Sequence, residues 1–279
     1  MRVAVISDIH ANYKAFEAFL AYIEKYPVDA VIGLGDYVTD SPYPRKTLEM
    51  LYGLQKKLPC YLLRGNREEY LLNNDRKPQG WHYCSPNGAL YYTFQSLTRA
   101  DLTFFENLPT VKRVKLGDCP ELMLCHGAPD EVRGNFEYDL ELRDRVMRKL
   151  PTEYLLGGHS HHQEATVIHG KMYINPGSLG LAIDFVGGRA EFAILEGDKD
   201  GWRPQLISIA YDLQGFLQAF KESGLDEYAM VLNKAVKKTL CTGRNCFYYA
   251  VCEAIKLSGK PLGEIEEDVW QQVAVNLEL

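Results

Sequence analysis

Long apolar runs are missing from this 279-residue chain. No stretch approaches the roughly 20 consecutive apolar residues that a membrane-spanning helix needs. The first run, Val3–Ile6, is cut off by Asp8 and His10, which leaves no signal-peptide core there. Paired cysteines are missing too. The seven, at 60, 84, 119, 125, 241, 246 and 252, are odd in number and include no Cys-x-x-Cys. They read as thiols of a reducing cytoplasm, not as a disulfide framework or a zinc site. Nor is there an excess of positive charge: 31 Lys plus Arg stand against 37 Asp plus Glu, a formal net charge of -6. Bulk nucleic-acid binding, which needs a broad basic face, is therefore not expected. A compact substrate in a locally cationic pocket fits better, with no membrane partner.

Several catalytic signatures are absent as well. There is no Walker-type Gly-x-x-x-x-Gly-Lys-Ser/Thr and no Gly-x-Ser-x-Gly. Gly33-Leu34-Gly35 has Val38 where a dinucleotide fingerprint has its third glycine. A nucleophilic Cys125 beside His126 is disfavoured because a strand-end thiol is ordinarily buried and inert. What remains, 46% hydrophobic and 24% charged residues without repeats or linkers, is the balance of a globular chain.

The pattern of that chain is α/β. Val3–Ser7, Ala30–Leu34 and Cys60–Leu63 are short β-branched or apolar runs. Between them, Tyr13–Tyr26 carries the amphipathic stripe Phe16, Phe19, Leu20, Ile23 and is stopped by Pro27, while Thr47–Lys57 lines up Leu48, Leu51 and Leu54. This β-α-β-α-β order places neighbouring strands in one sheet. Further strands are expected at Glu121–Cys125, Tyr154–Leu156, Met172–Ile174, Ala190–Leu195 and Pro204–Ile209, the last four as a hairpin-rich second sheet. From Asp212 the pattern turns helical: Leu213–Glu222, Glu227–Lys238, Cys246–Leu257 and Leu262–Val275. The expected organisation is a main domain over 1–211 and a helical extension over 212–279. In that extension Tyr248, Tyr249, Val251 and Ile255 form a face that packs on the domain or joins a second copy in a homo-oligomer.

Chemistry-bearing residues collect where the strands end, which is where open α/β sheets bind ligands. Asp8 and His10 follow the first run, Asp36 the second and Asn66 the third; His126 follows Glu121–Cys125, and His159 and His161 follow Tyr154–Leu156. Singly, each reads as a cap, a turn former or a hydrogen-bonded histidine. Jointly they suit a pair of divalent cations: imidazole favours Zn, Fe, Ni or Mn, and a carboxylate can bridge two ions about 3.5–4 Å apart. His159 and His161 would share one face if their segment were extended.

These blocks, in this order, resemble the calcineurin-like metallophosphoesterases. Ser7-Asp8-Ile9-His10-Ala11-Asn12, Gly35-Asp36-Tyr37-Val38 with Pro42-Tyr43-Pro44, Gly65-Asn66-Arg67-Glu68, His126-Gly127, Gly158-His159-Ser160-His161 and Asn175-Pro176-Gly177-Ser178 resemble the bacterial and archaeal small-phosphodiesterase branch. The resemblance covers about residues 1–197. It implies a four-layer αββα sandwich of two mixed sheets flanked by helices. It also implies a dinuclear site: Asp8, His10 and His161 on the first ion, Asn66, His126 and His159 on the second, Asp36 bridging, and a metal-bound hydroxide attacking phosphorus.

Two positions depart from the family pattern. Arg67 stands where the family has the histidine that protonates the leaving group. Arginine cannot act as a general acid but can clamp a phosphate. The expected catalytic residues are thus Asp36 and Arg67, and the expected substrates are those whose leaving group needs no proton, phosphoanhydrides such as dinucleoside polyphosphates among them. His162 and His82 are the alternative proton donors. Leu181-Ala182-Ile183 replaces a Pro-Arg pair, so Arg64, Arg67 and His162 are the expected substrate contacts. The alternative to an enzyme is a metal-binding scaffold that kept the fold.

Overall fold

A computed structural model describes residues 1–279. Strand β1 (Arg2–Ile6) sits between β2 (Ala30–Gly33), with which it is parallel, and β9 (Arg189–Asp198), with which it is antiparallel. With β3 (Cys60–Leu62) and β10 (Gly201–Ala210) they form a five-stranded sheet of order β10-β9-β1-β2-β3. A second sheet has the order β4-β5-β6-β8-β7, from β4 (Val111–Val114), β5 (Leu122–Cys125), β6 (Tyr154–Leu156), β7 (Gln163–Ile168) and β8 (Lys171–Pro176).

The alternation of β1 explains the layers. Val3 and Val5 face the second sheet and join Leu122, Leu124, Leu156 and Ile174 in a core between the sheets. Ala4 and Ile6 point the other way, into a core with Phe16 and Phe19 of α1 (Tyr13–Lys25) and Leu48 and Leu51 of α2 (Pro44–Lys57). Helix α2 starts three residues earlier than the periodicity indicates because Pro44 fits a first helical turn. The same outer core takes Leu71 of α3 (Asn66–Arg76) and Phe105 of α5 (Arg99–Asn107); α4 (Gly88–Ser96) lies between them in the chain. On the far face of the second sheet, Leu142, Val146 and Met147 of α6 (Leu140–Lys149) cover Met123, Cys125 and Leu155. The result is the expected αββα sandwich.

The strands from Tyr154 to Ile209 do not all lie in the second sheet. β6, β7 and β8 do; the β9–β10 hairpin returns to the first. Burial on both faces is the cause. Phe192 and Ile194 enter the helix-side core while Ala193 and Leu195 enter the core between the sheets, so β9 needs an interior place. Strand β10 then forms the edge, where Pro204 is tolerated.

Five helices follow: α7 (Leu213–Glu222), α8 (Leu225–Tyr228), α9 (Met230–Thr242), α10 (Cys246–Ser258) and α11 (Glu267–Asn276). Phe216, Phe220 and Leu225 pack with Tyr13 and Leu181 of the sandwich, whereas α9, α10 and α11 enclose their own core around Trp270. Tyr248, Tyr249 and Ile255 remain exposed, and the Tyr248 ring stacks on Tyr138 of the main domain with centroids 5.8 Å apart. All seven cysteines are unpaired. No helix is long and apolar enough to cross a membrane.

Candidate metal centre

Each strand that points at the cleft ends in a hooked loop. Asp8 N–H donates to Gly35 O (3.0 Å) and His10 N–H to Asp36 O (3.0 Å), so the β1 and β2 loops brace one another. The hooks require left-handed backbone: φ is 54° at Asp8, 47° at His10, 55° at Asp36, 66° at His159 and 61° at His161. Asp and His tolerate this conformation better than most residues, and such strain concentrates at functional sites. Two glycines let the β2 and β3 loops touch. A Cβ on Gly35 would lie 2.4 Å from Gly65 N, and one on Gly65 would lie 2.2 Å from Asp36 Oδ1.

The loops gather two trios, each with ligand atoms within 4.8 Å of one another: Asp8, His10 and His161, and Asp36, His126 and His159. Asn66 adjoins the second, its Oδ1 3.0 Å from His126 Nε2. His159 and His161 serve different trios. Their left-handed backbone, which is not the extended form expected, turns them apart.

Three imidazoles are oriented from behind. Nδ1 of His10 faces Asp40 Oδ2 (3.0 Å), Nδ1 of His126 faces Leu34 O (2.9 Å) and Nδ1 of His161 faces Leu181 O (2.9 Å). Each acceptor fixes the proton on Nδ1 and leaves Nε2 with a lone pair, the usual arrangement of a metal-ligating histidine. Yet His10 Nε2 and His161 Nε2 are only 3.1 Å apart, and the nearby Asp8 Oδ1 is buried without any hydrogen-bond donor. Lone pairs and a carboxylate oxygen converging in this way fit a divalent cation in both geometry and donor type.

The electrostatics agree. Burial works to raise the Asp8 carboxyl, but the His161 and His126 imidazoles hold it well below its ordinary value. Burial likewise opposes protonation of His10 and His126. The Asp40 and Asp8 carboxylates nevertheless lift His10 to about 9, and Asp36 and Asp8 lift His126 to about 10. His159 is pushed down to about 4 by burial and by the neighbouring His126, so it is already neutral near pH 7. A cation must therefore displace the protons of His10 and His126. Filling both trios with Mn²⁺ at pH 7 is expected to release about two protons, one per cation, and the affinity of each site rises about tenfold per pH unit between pH 6 and 8. Calorimetry in buffers of different ionisation enthalpy reads that number. Binding without proton release would contradict the arrangement.

Arg67 lines the same cleft. Its backbone N–H donates to Asp36 Oδ1 (2.8 Å), and its side-chain Nη2 lies 3.1 Å from Asp40 Oδ2. Arg64 and His162, expected as substrate contacts, are not brought there. Arg64 Nη1 donates to Glu106 O and Leu108 O at the end of α5, and Nε faces Glu69. His162 stays on the surface against Asp184 (2.7 Å), and His82 is held at Gly80 O outside the cleft. The Cys125 thiol is pushed far up by burial, which leaves it no nucleophilic character.

Two residues escape sequence reading. Asp40 is buried and joins His10, Arg67 and Thr39; only its place four residues after Asp36 hints at this. Glu68 accepts N–H bonds from Gly65 (2.8 Å), Asp36 (2.9 Å) and Tyr37 (2.8 Å), so it ties the β3 loop to the β2 loop. Burial and the adjacent Asp36 push its carboxyl up to about 7.

Known proteins share this arrangement of elements. An uncharacterized protein of Methanocaldococcus jannaschii is 24% identical over 254 residues, 81% of this chain and 94% of its own. A solved metallophosphoesterase from Sphaerobacter thermophilus is 26% identical and superposes with a TM-score of 0.68 over 87% of this chain and 100% of its own. A hypothetical protein from Pyrococcus horikoshii OT3 shares the fold at a TM-score of 0.73, with 22% identity over 87% of this chain and 98% of its own. Residues 1–200 match the model of the calcineurin-like phosphoesterase superfamily domain. Because the match runs from β1 to β9 and takes in every strand end that feeds the two trios, the chain belongs to the calcineurin-like phosphoesterase superfamily.

Proposed function

We propose that the chain hydrolyses phosphodiester or phosphoanhydride bonds of a small nucleotide-like substrate, dinucleoside polyphosphates among the candidates. Two divalent cations would be held by Asp8, His10 and His161 and by Asn66, His126 and His159, with Asp36 shared; Mn, Fe, Zn and Ni all suit these donors. The observation that carries this reading is the convergence of His10 Nε2, His161 Nε2 and the donor-less Asp8 Oδ1 on one point. When bound, a pair of such ions lowers the pKa of water toward neutrality and neutralises charge on phosphoryl oxygens.

The chain's own groups set the rest. Asp40 orients His10 through Nδ1 and holds the Arg67 guanidinium at the cleft, where its remaining N–H groups would take a phosphoryl oxygen. Hydrolysis forms one P–O bond to the oxygen of water and breaks the bond to the leaving oxygen. Arg67 cannot donate the proton that a poor leaving group needs. Aryl esters and phosphoanhydrides, which leave as stable anions, are therefore favoured over alkyl monoesters.

Turnover of bis(p-nitrophenyl) phosphate with Mn²⁺, abolished by chelation and restored by Mn²⁺, is the expected result. Bound Mn²⁺ without turnover would instead support the scaffold reading. Arg67→His is expected to raise alkyl-ester hydrolysis relative to aryl-ester hydrolysis about 10- to 100-fold, measured as the ratio of kcat/KM values. An equal response of both esters would remove the leaving-group argument.

A further inference from the structure

Beside the two trios the cleft opens into a cavity of about 760 Å³ that shares Asp40, Asn66, Arg67 and His159 with them. That volume falls within the roughly 300–1,000 Å³ of small-molecule sites. One wall comes from outside the sandwich: Leu232, Asn233 and Val236 of α9, and Phe247 and Val251 of α10. Trp81 and Tyr70 line it from the sandwich side.

Three groups in this cavity have bonding capacity left over. The Arg133 guanidinium lies over the Tyr70 ring, 4.5 Å from its centroid, and makes no ion pair. Arg67 lies 5.7 Å from the Phe247 centroid and spends Nη2 on Asp40, which leaves its other N–H groups available. Asn233 is only 2% exposed, yet its Oδ1 has no donor. The orientation of this amide is fixed. Its Nδ2 donates to Asp226, which is itself paired with Lys237 and can only accept, so the oxygen is the atom left over. A buried acceptor without a donor carries a desolvation cost until a ligand N–H meets it.

The demands are specific. Two guanidinium groups next to the reacting centre call for a phosphate. Aromatic faces call for a flat ring. The orphan Oδ1 calls for an N–H on that ring. We infer that this cavity takes the leaving half of the substrate, an amino-bearing nucleobase against Phe247 and Trp81 whose N–H meets Asn233 Oδ1, with its phosphate on Arg67 and Arg133. The inference rests on the hydrolytic reading for which phosphorus reacts. It gives the C-terminal helices a role in specificity: they form the wall that recognises the leaving nucleotide. A leaving phosphate held by two arginines also needs no proton, in keeping with Arg67 at its position.

The test is calorimetric titration of the metal-free 279-residue chain with ADP and with purine riboside 5′-diphosphate, which carries hydrogen in place of the exocyclic amino group and has no N–H on its base. ADP is expected to bind at least about tenfold more tightly than purine riboside 5′-diphosphate. In Arg133→Ala, a change on an exposed side chain that does not threaten folding, ADP affinity is expected to fall about 10- to 100-fold. Equal affinity for ADP and purine riboside 5′-diphosphate, unchanged ADP affinity in Arg133→Ala, or no ADP binding at all would each overturn the proposal. Bis(p-nitrophenyl) phosphate turnover by the Mn²⁺-loaded wild-type protein is read separately. Its absence with ADP binding intact would count against the hydrolytic reading, not against the pocket.

Discussion

Asp36→Ala is expected to lower kcat/KM toward bis(p-nitrophenyl) phosphate at least about a thousandfold, in line with the several kcal/mol that metal-assisted charge stabilisation contributes. The carboxylate is buried at the end of β2 among His126 and His159, with Oδ2 3.4 Å from His126 Nε2. Its other oxygen accepts the Arg67 backbone N–H, so one side chain serves the trio and also pins the first turn of α3. Metal content measured on the same sample should fall below that of the wild type, because Asp36 is the ligand proposed to touch both ions. Activity within tenfold of the wild type would remove Asp36 from the mechanism.

Gly65→Ala tests the same geometry by adding one methyl group at a position with no ligand role. Gly65 has φ -94°, so alanine meets no backbone penalty there. The obstacle is contact: the new Cβ would lie 2.2 Å from Asp36 Oδ1 and 2.8 Å from Asp36 N. Part of that contact is backbone held by Glu68, which cannot swing aside as a surface side chain would. The β2 and β3 loops must part, and a displacement of order 1 Å at a reacting site costs about 100-fold in rate. Overpacking should also lower stability by about 1–3 kcal/mol. Gly53→Ala is the contrast. It lies inside α2 with nothing within 4 Å of the place its methyl group would take, and it should gain about 0.5–1 kcal/mol from helix propensity. Thermal unfolding and kcat/KM of both variants decide the matter. Full activity in Gly65→Ala would show that the two loops need no close approach.

The parts of this site legible from sequence are local. Asp8, His10, Asp36, Asn66, His126, His159 and His161 each stand within a few residues of a strand end, so short runs of sequence carry both the strand and the ligand. Relations that form only in three dimensions are not legible. Asp40 matters because β1 and the β2 loop bring it to His10, and no spacing rule announces that. Arg64 and Arg67 look equivalent as sequence, yet one points to the end of α5 and the other to the cleft. The hairpin of β9 and β10 belongs to the first sheet and not, as expected, to the second, because strand runs do not state their partners. Helix α3 is hidden for another reason: it buries only Leu71 and Leu72 among its apolar residues, too few for an amphipathic stripe. The C-terminal helices are legible as helices, but their contribution to the cleft is not. Phe247 and Val251 read as ordinary apolar positions until α10 is set beside Arg67.

The central claim is that two cations sit side by side between these loops. Anomalous diffraction at the manganese edge, from crystals grown with Mn²⁺, measures it directly. The account expects two peaks about 3.5–4 Å apart. One should be ligated by Asp8, His10 and His161, the other by Asn66, His126 and His159, with Asp36 reaching both. A map without peaks there, in which His10 and His161 still face each other across an empty gap, would contradict it.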